Sequence, residues 1–320
     1  MKVAALDLGT NTFLCLIAEV QSGKIGQIYE DQVQVVRLGQ GMGKTSTPNI
    51  RPQFHPEALK RAETCLKEFS KAIQKHRPEK ILAMATSAAR DASNAEDLFR
   101  IGRELQIPIE IIPGSREAEI TYQGSISGQK DFSKNFVVID IGGGSTEIIF
   151  GKGSELKFSQ SLDIGCVRLT EKFLATQPAS AKSLQDLRGF IAQKLDGLIQ
   201  AALKKVPFNP AADIALAVAG TPTELARIQI GGEFTPEKID GFALQQRQLN
   251  DWFSEFSLLS SEQITQKFSV TPGRADVILV GVIILQEFCR TLGIEHILVS
   301  TRGVRFGVAL EIEKRKKESL

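Results

Sequence analysis

One pattern occurs twice in this sequence and limits what the chain can fold into. The apolar run Val3-Ala4-Ala5-Leu6 leads into Asp7-Leu8-Gly9-Thr10-Asn11-Thr12 and out through the apolar stretch Phe13 to Val20. From Phe136 the pattern starts over. Phe136-Val137-Val138-Ile139 leads into Asp140-Ile141-Gly142-Gly143-Gly144-Ser145 and out through Thr146 to Phe150. The two aspartates stand 133 residues apart. Short apolar runs joined by Asp, Gly and Asn read as strand, tight turn, strand. A copy at that distance in 320 residues predicts two similar domains.

The segments between the turns alternate in period. Residues 25 to 38 read as a further strand or two, and Gly39 to Ser46 as a loop. Pro56 to His76 has helical spacing through Leu59, Ala62, Leu66, Phe69 and Ile73. Lys80 to Ala85 reads as a strand, Ala95 to Leu105 as a helix and Ile107 to Ile112 as a strand. The next helix starts at Ser115, a natural N-cap. In the second half, Leu184 to Val206 is helical, and Ile214 to Ala219 is a strand running into Gly220-Thr221. Ile239 to Phe256 and Gly273 to Leu292 read as largely helical, Ile297 to Ser300 as a strand, and Arg305 onward as a final helix. Strands alternating with helices predict an α/β fold of two domains with mixed sheets flanked by helices and a cleft between them. The expected domains are 1-125 and 126-304, with the final helix 305-320 returning to the first.

Both turns carry the chemistry of an anion site. Glycine lets the backbone come close to a ligand, and consecutive exposed N–H groups make a concave anion-binding surface. Thr10, Thr12, Ser145 and Thr146 add hydroxyl donors. Asp7 and Asp140 add carboxylates that suit a hydrated Mg²⁺, which takes a few carboxylates together with waters and phosphate oxygens. A single Asp-x-Gly turn is an ordinary hairpin. Two of them, both hydroxyl-rich and in matching places of a repeat, point to a phosphate ligand.

At these residues the chain resembles the exopolyphosphatase and guanosine pentaphosphate phosphohydrolase family. That family belongs to the actin, sugar kinase and heat-shock ATPase superfamily. The resemblance extends to Ala85-Thr86-Ser87-Ala88-Ala89-Arg90-Asp91-Ala92-Ser93-Asn94, to Ile111-Ile112-Pro113-Gly114-Ser115-Arg116-Glu117-Ala118, to Gly165-Cys166-Val167-Arg168-Leu169-Thr170 and to Ala219-Gly220-Thr221. In order, these matches run from about residue 3 to about residue 310. The resemblance implies two actin-like (ribonuclease H-like) domains and hydrolysis of a terminal phosphoanhydride by water.

By the same resemblance Glu117 is the general base that orients or deprotonates the water. It falls in the first turn of a helix, where a carboxylate is favoured as the anion. Glu119, two residues on, falls on the other side of that helix. Gly9, Thr10, Asn11, Thr12, Gly142, Gly143, Gly144, Ser145, Gly220 and Thr221 are implied as the phosphate-binding residues. Arg90 is a further phosphate candidate, with Arg168 and Arg305 weaker ones. Asp7, Asp140 and Glu147 are implied as holders of Mg²⁺ or another divalent cation. The partners implied are polyphosphate or guanosine tetra- or pentaphosphate, and a second copy of the chain in a homodimer. The chain also departs from the family. Leu14 stands where many relatives carry a basic residue, and the run Ser300-Thr301-Arg302-Gly303-Val304-Arg305-Phe306-Gly307 lacks two acidic positions that relatives often have there.

Composition excludes other classes. With 39 Lys plus Arg against 37 Asp plus Glu, the net charge is +2, and nothing global marks a binder of nucleic acid or membrane. The four scattered cysteines form no CxxC pair, so buried reduced thiols in a cytoplasmic protein are expected. Gly39 to Ser46 fails as a P-loop, because the glycine that Lys44 would require falls at Leu38. Arg37, Lys44 and Arg51 give this segment a basic character that could guide a polyanion. The three histidines are far apart. Two other functions fit the fold: an ATP-dependent kinase, which the Glu117 segment disfavours, and a nucleotide or polyphosphate sensor without turnover.

Overall fold

The structure, a computed structural model, describes residues 1–42, 51–174, 176–231 and 235–318. Residues 43–46 of the expected loop lie outside the described residues. The chain forms two units, Met1–Gly128 with Arg302–Leu320, and Gln129–Thr301.

The first unit starts with β1 (Lys2–Leu8), β2 (Thr12–Gln21) and β3 (Lys24–Val35). It continues with α1 (Pro56–His76), β4 (Lys80–Ala85), α2 (Ser87–Asp91), α3 (Ala95–Glu104), β5 (Ile109–Ile111) and α4 (Gly114–Ile126). The sheet order is β3-β2-β1-β4-β5. Strand β1 is antiparallel to β2 and parallel to β4, and β4 is parallel to β5. Side chains alternate across a strand, so β1 is apolar on both faces because both are covered. Ala4, Leu6 and Leu8 pack in one core with Ala62, Leu66 and Phe69 of α1. Val3 and Ala5 face a second core. Helix α1 has its signals in place: Pro56 in the first turn, Glu57 beside it, and Arg77 in the left-handed region closing the last turn.

The second unit repeats this plan. Its elements are β6 (Asn135–Ile141), β7 (Thr146–Lys152), β8 (Glu155–Leu162), α5 (Cys166–Phe173), α6 (Ala181–Lys205) and β9 (Ile214–Val218). They continue with α7 (Gly220–Ile230), α8 (Pro236–Ile239), β10 (Ala243–Gln245), α9 (Gln246–Phe256), α10 (Ser261–Phe268), α11 (Ile278–Leu292) and β11 (His296–Val299). The order β10-β11-β9-β6-β7-β8 matches the first sheet strand for strand, with β10 added at one edge. Helix α11 is apolar around most of its surface and runs through the centre of this core.

The last helix, α12 (Val304–Glu318), packs on α4, β1 and β2 of the first unit. Val308, Ala309 and Ile312 fill the second core beside Val3, Ala5 and Leu16. The α4–α12 contact is backbone against backbone. A Cβ on Gly307 would lie 2.0 Å from the Ile120 carbonyl oxygen, and one on Gly124 would lie 2.1 Å from that of Gly303.

Several local expectations are corrected. Helix α4 starts at Gly114 with Pro113 as its N-cap residue, and Ser115 is an exposed residue of the first turn. Arg90 sits on α2, a short helix that the sequence reading did not include. The helix expected over Ile239 to Phe256 is interrupted, because Gly241 takes φ +80° and residues 241–245 join the edge of β11. Gly273, at φ +79°, delays the start of α11 to Ile278. Among the described residues no helix is long and apolar enough to cross a membrane.

Candidate active site

In each unit the sequence-marked residues follow the carboxyl ends of parallel strands, where ligands of α/β sheets bind. The turn Gly9–Asn11 follows β1, Arg90 lies on the helix after β4, and Glu117 lies on the helix after β5. In the second unit Gly142–Ser145 follows β6 and Gly220–Thr221 follows β9.

The two turns close in the same way. Gly9 N–H donates to the Thr12 carbonyl at 3.1 Å, and Gly142 N–H donates to the Ser145 carbonyl at 3.0 Å. A Cβ on Gly9 would meet the Thr12 oxygen at 2.9 Å, and one on Gly142 the Ser145 oxygen at 3.0 Å. Only glycine fits so close an approach.

What lies behind each turn decides which way its amides point. The Gly142 carbonyl accepts from Cys166 N–H, and the Gly143 carbonyl accepts from Val167 and Arg168 N–H. The Gly144 carbonyl accepts from Arg168 Nε at 2.7 Å. In a trans peptide the N–H points opposite to the C=O. The N–H groups of Gly143, Gly144 and Ser145 therefore face away from α5, as an anion nest requires. The first unit uses a loop for the same purpose. The Asn11 carbonyl accepts from Val36 and Arg37 N–H, and the Thr10 carbonyl accepts from Gly39 N–H. Arg61 of α1 holds that loop through the carbonyls of Val36 (2.7 Å) and Arg37 (3.2 Å).

Glu117 is buried, 6% exposed, and its Oε2 accepts from Arg90 Nη1 at 2.6 Å. The same nitrogen donates to the Ile112 carbonyl at 2.9 Å. Burial raises the Glu117 carboxyl above its ordinary value, and the Arg90 charge and hydrogen bond oppose that shift. Position in the first helical turn thus does not dominate here; desolvation does. A carboxylate raised toward neutral pH is a better proton acceptor. Glu119 pairs with Arg116, which also reaches Glu311 of α12.

Asp140 and Glu147 are directly opposite on β6 and β7, and both are buried. Opposed residues of an antiparallel pair share a face, and two carboxylates there repel unless a cation joins them. Ser161 Oγ donates to Glu147 Oε1 at 2.7 Å. Among the described residues no group of three or more His, Cys, Asp or Glu forms a cage for a metal. Two carboxylates beside a phosphate turn fit Mg²⁺, which completes its shell with waters and phosphate oxygens. In the first unit Asp7 faces Leu14, so that turn has one carboxylate where the second has two.

Gly220 and Thr221 open α7, where helix N–H groups and the dipole favour an anion. The residue before them, Ala219, has φ +76° and ψ −163°, a conformation normally left to glycine. Arg274 is a residue the sequence did not single out. A Cβ on Gly220 would lie 2.4 Å from its Nη1, and its buried Nε has no hydrogen-bond partner. Burial lowers the proton affinity of this guanidinium, with Glu224 acting the other way. Its only sequence signal is an arginine in the Gly-Arg-Ala-Asp turn before an apolar helix.

The other basic candidates are already engaged. Arg305 makes a bidentate pair with Asp31 at 2.7 and 2.9 Å, which removes it as a phosphate ligand. Arg168 holds the Gly144 carbonyl, and Arg51 is bonded to backbone carbonyls of residues 90–92.

Two mixed sheets of matching order, each carrying a glycine turn after its central parallel strand, define an actin-like ATPase fold. The chain belongs to the Ppx/GppA phosphatase family, whose model matches residues 16–316, and it is accordingly a phosphatase-class hydrolase. It is 33% identical over 325 residues to Exopolyphosphatase 2 of Mycobacterium tuberculosis, covering 97% of this chain and 98% of that one. A solved structure of the Aquifex aeolicus member of the Ppx/GppA family is similar at TM-score 0.79 and 29% identity, covering 99% of this chain and 98% of that one. An exopolyphosphatase from Cytophaga hutchinsonii is similar at TM-score 0.86 and 25% identity, covering 98% of each chain.

Proposed function

We propose that this protein hydrolyses the terminal phosphoanhydride of inorganic polyphosphate, with guanosine pentaphosphate as a competing substrate. The observation that carries this reading is the buried Glu117 carboxylate, bonded to Arg90 and lying on the same sheet edge as the Gly9–Asn11 turn. A kinase would need a hydroxyl acceptor in place of water. The match to a phosphatase family favours water as the acceptor, and the Glu117 carboxylate is the group placed to take its proton.

In this mechanism Glu117 accepts a proton from water as its oxygen bonds to the terminal phosphorus. The anhydride P–O bond breaks, and the shortened chain leaves with its electron pair. Inorganic phosphate is the other product. Positioning and charge neutralisation carry most of the rate in such transfers. The outward amides of the two turns, with the hydroxyls of Thr10, Thr12 and Ser145, bind phosphoryl oxygens. Arg90 holds Glu117 and favours its ionised form against burial. In the second unit Asp140 and Glu147 are the residues that would hold Mg²⁺, which when bound neutralises phosphoryl charge; in the first unit Asp7 is the carboxylate at the matching turn. The names of the Mycobacterium tuberculosis and Cytophaga hutchinsonii relatives support polyphosphate as substrate.

The test is phosphate release measured side by side from polyphosphates of several lengths, guanosine pentaphosphate and ATP, with and without Mg²⁺. Release from polyphosphate that needs the cation supports the reading. Hydrolysis of ATP alone, or binding of polyphosphate without release, overturns it.

A further inference from the structure

Arg51 reads in the sequence as part of a basic loop that could meet the substrate. Its side chain does something else. Nη2 donates to the Arg90 carbonyl at 2.6 Å and to the Ala92 carbonyl at 3.3 Å, and Nε donates to the Asp91 carbonyl at 3.3 Å. These are consecutive carbonyls at the end of α2, a helix of 5 residues. So short a helix cannot hold itself. Its terminal carbonyls lack helical partners and need a donor from outside. A guanidinium there also complements the negative end of the helix.

The backbone around Arg51 is itself tied to the same strip. Ser93 N–H donates to the Pro52 carbonyl at 2.8 Å. Phe54 N–H donates to Asn94 Oδ1 at 2.8 Å, and Asn94 Nδ2 donates back to the Phe54 carbonyl at 3.3 Å. Phe54 is buried in the core against which α1 packs. Arg51 therefore reaches α2 from an anchored position. Its main acceptor is the carbonyl of Arg90, the residue whose guanidinium holds Glu117.

We propose that Arg51 is a positioning residue for the proposed reaction: it clamps the end of α2 so that Arg90 presents Nη1 to Glu117. The inference rests on the Arg90–Glu117 reading above. It assigns Arg51 to the catalytic pair and not to the substrate.

A double-mutant cycle on the full chain tests this, with polyphosphate and Mg²⁺ as the probe. Arg51→Ala is expected to lower kcat by roughly 10-fold while KM stays within about 3-fold, since a positioning error acts on the chemical step. In an Arg90→Ala background the same change is expected to have almost no further effect, because residues acting through one another are not additive. Arg51→Lys keeps the charge but loses the planar fork. It is expected to fall between wild type and Arg51→Ala, and it carries the test if the alanine variant melts early. A raised KM with unchanged kcat would make Arg51 a substrate contact and overturn the proposal. Full additivity with Arg90→Ala, or wild-type kinetics in both Arg51 variants, would overturn it as well. If Arg90→Ala alone turns over normally, the reading of the Arg90–Glu117 pair fails. If Arg90→Ala is slow and Arg51→Ala is normal, only the Arg51 step fails.

Discussion

Arg90 Nη1 lies 2.6 Å from Glu117 Oε2 and bridges it to the Ile112 carbonyl, so one nitrogen ties α2 to the helix that follows β5. The carboxyl is buried, and burial outweighs the arginine in setting its proton affinity, which is raised. A group that holds its proton more tightly in the folded state contributes stability at low pH. That contribution is lost as pH rises through the folded value. The ionised form that the chemistry needs is thus the one the fold tolerates less, a common arrangement at functional sites.

The pH dependence follows from that direction. As the proposed base, Glu117 must be ionised for activity, and phosphate release is expected to fall on the acid side through a group titrating above the ordinary glutamate value of about 4.3. Arg90→Ala removes the charge and hydrogen bond that oppose burial, and the acid limb of kcat is expected to move to higher pH. Comparing wild type and variant on one substrate cancels the titration of the substrate itself. A limb that stays in place, or moves to lower pH, separates Arg90 from the acid–base step.

Glu117→Gln removes the proposed base and keeps the shape. Phosphate release from polyphosphate is expected to fall roughly 10²–10⁴-fold, the range for a lost general base. Polyphosphate should still raise the melting temperature of the variant. Unchanged turnover would assign the proton to another group.

The second phosphate turn rests against α5 at Gly165, where a Cβ would lie 2.3 Å from Gly143 backbone atoms. Gly165→Ala is expected to push the turn out of place and to destabilise the protein by about 1–3 kcal/mol, the usual cost of overpacking. The measurements are a thermal melt and KM for polyphosphate, with KM rising. An unchanged KM in a destabilised variant would mean that the turn does not contact the substrate.

Arg274 has a buried Nε with no partner, an arrangement that costs free energy in the unliganded protein. Arg274→Met is therefore expected to leave the melting temperature unchanged or raise it. Inorganic phosphate or polyphosphate would stabilise the variant less than wild type. A ligand at about 100 times its Kd stabilises by about 2.7 kcal/mol, so the loss is readable in a melt. A lower melting temperature with the ligand shift intact would make Arg274 a packing residue.

Much of this was legible from residue types. The repeated Asp-x-Gly turns reappear with matching closing bonds, Gly9 to Thr12 and Gly142 to Ser145, because strand, turn and glycine chemistry are local properties. Pairing was not legible. Arg305, Arg168 and Arg51 read as three similar basic candidates, yet each ends on a partner remote in sequence: Asp31, the Gly144 carbonyl and the carbonyls of 90–92. Arg274 gave the reverse error, since nothing local marks an arginine that packs under Gly220. The Ser115 cap failed for a local reason, because the cap position falls two residues earlier, at Pro113. The two opposed acids Asp140 and Glu147 could be named from the sequence. Their facing positions come from the β6–β7 register.

The placement of α12 has a consequence for the order in which the protein can be made. The chain leaves the first unit at Gly128, builds the whole second unit, and returns at Arg302. Helix α12 follows the whole of Gln129–Thr301 in the chain and is made after it. Until then Val3, Ala5 and Leu16 have no helix over them, and Gly124 and Ile120 lack their backbone neighbours. The helix carrying Glu117 is therefore seated only once α12 can pack on it, so the position of that carboxylate depends on a segment nearly two hundred residues further along the chain.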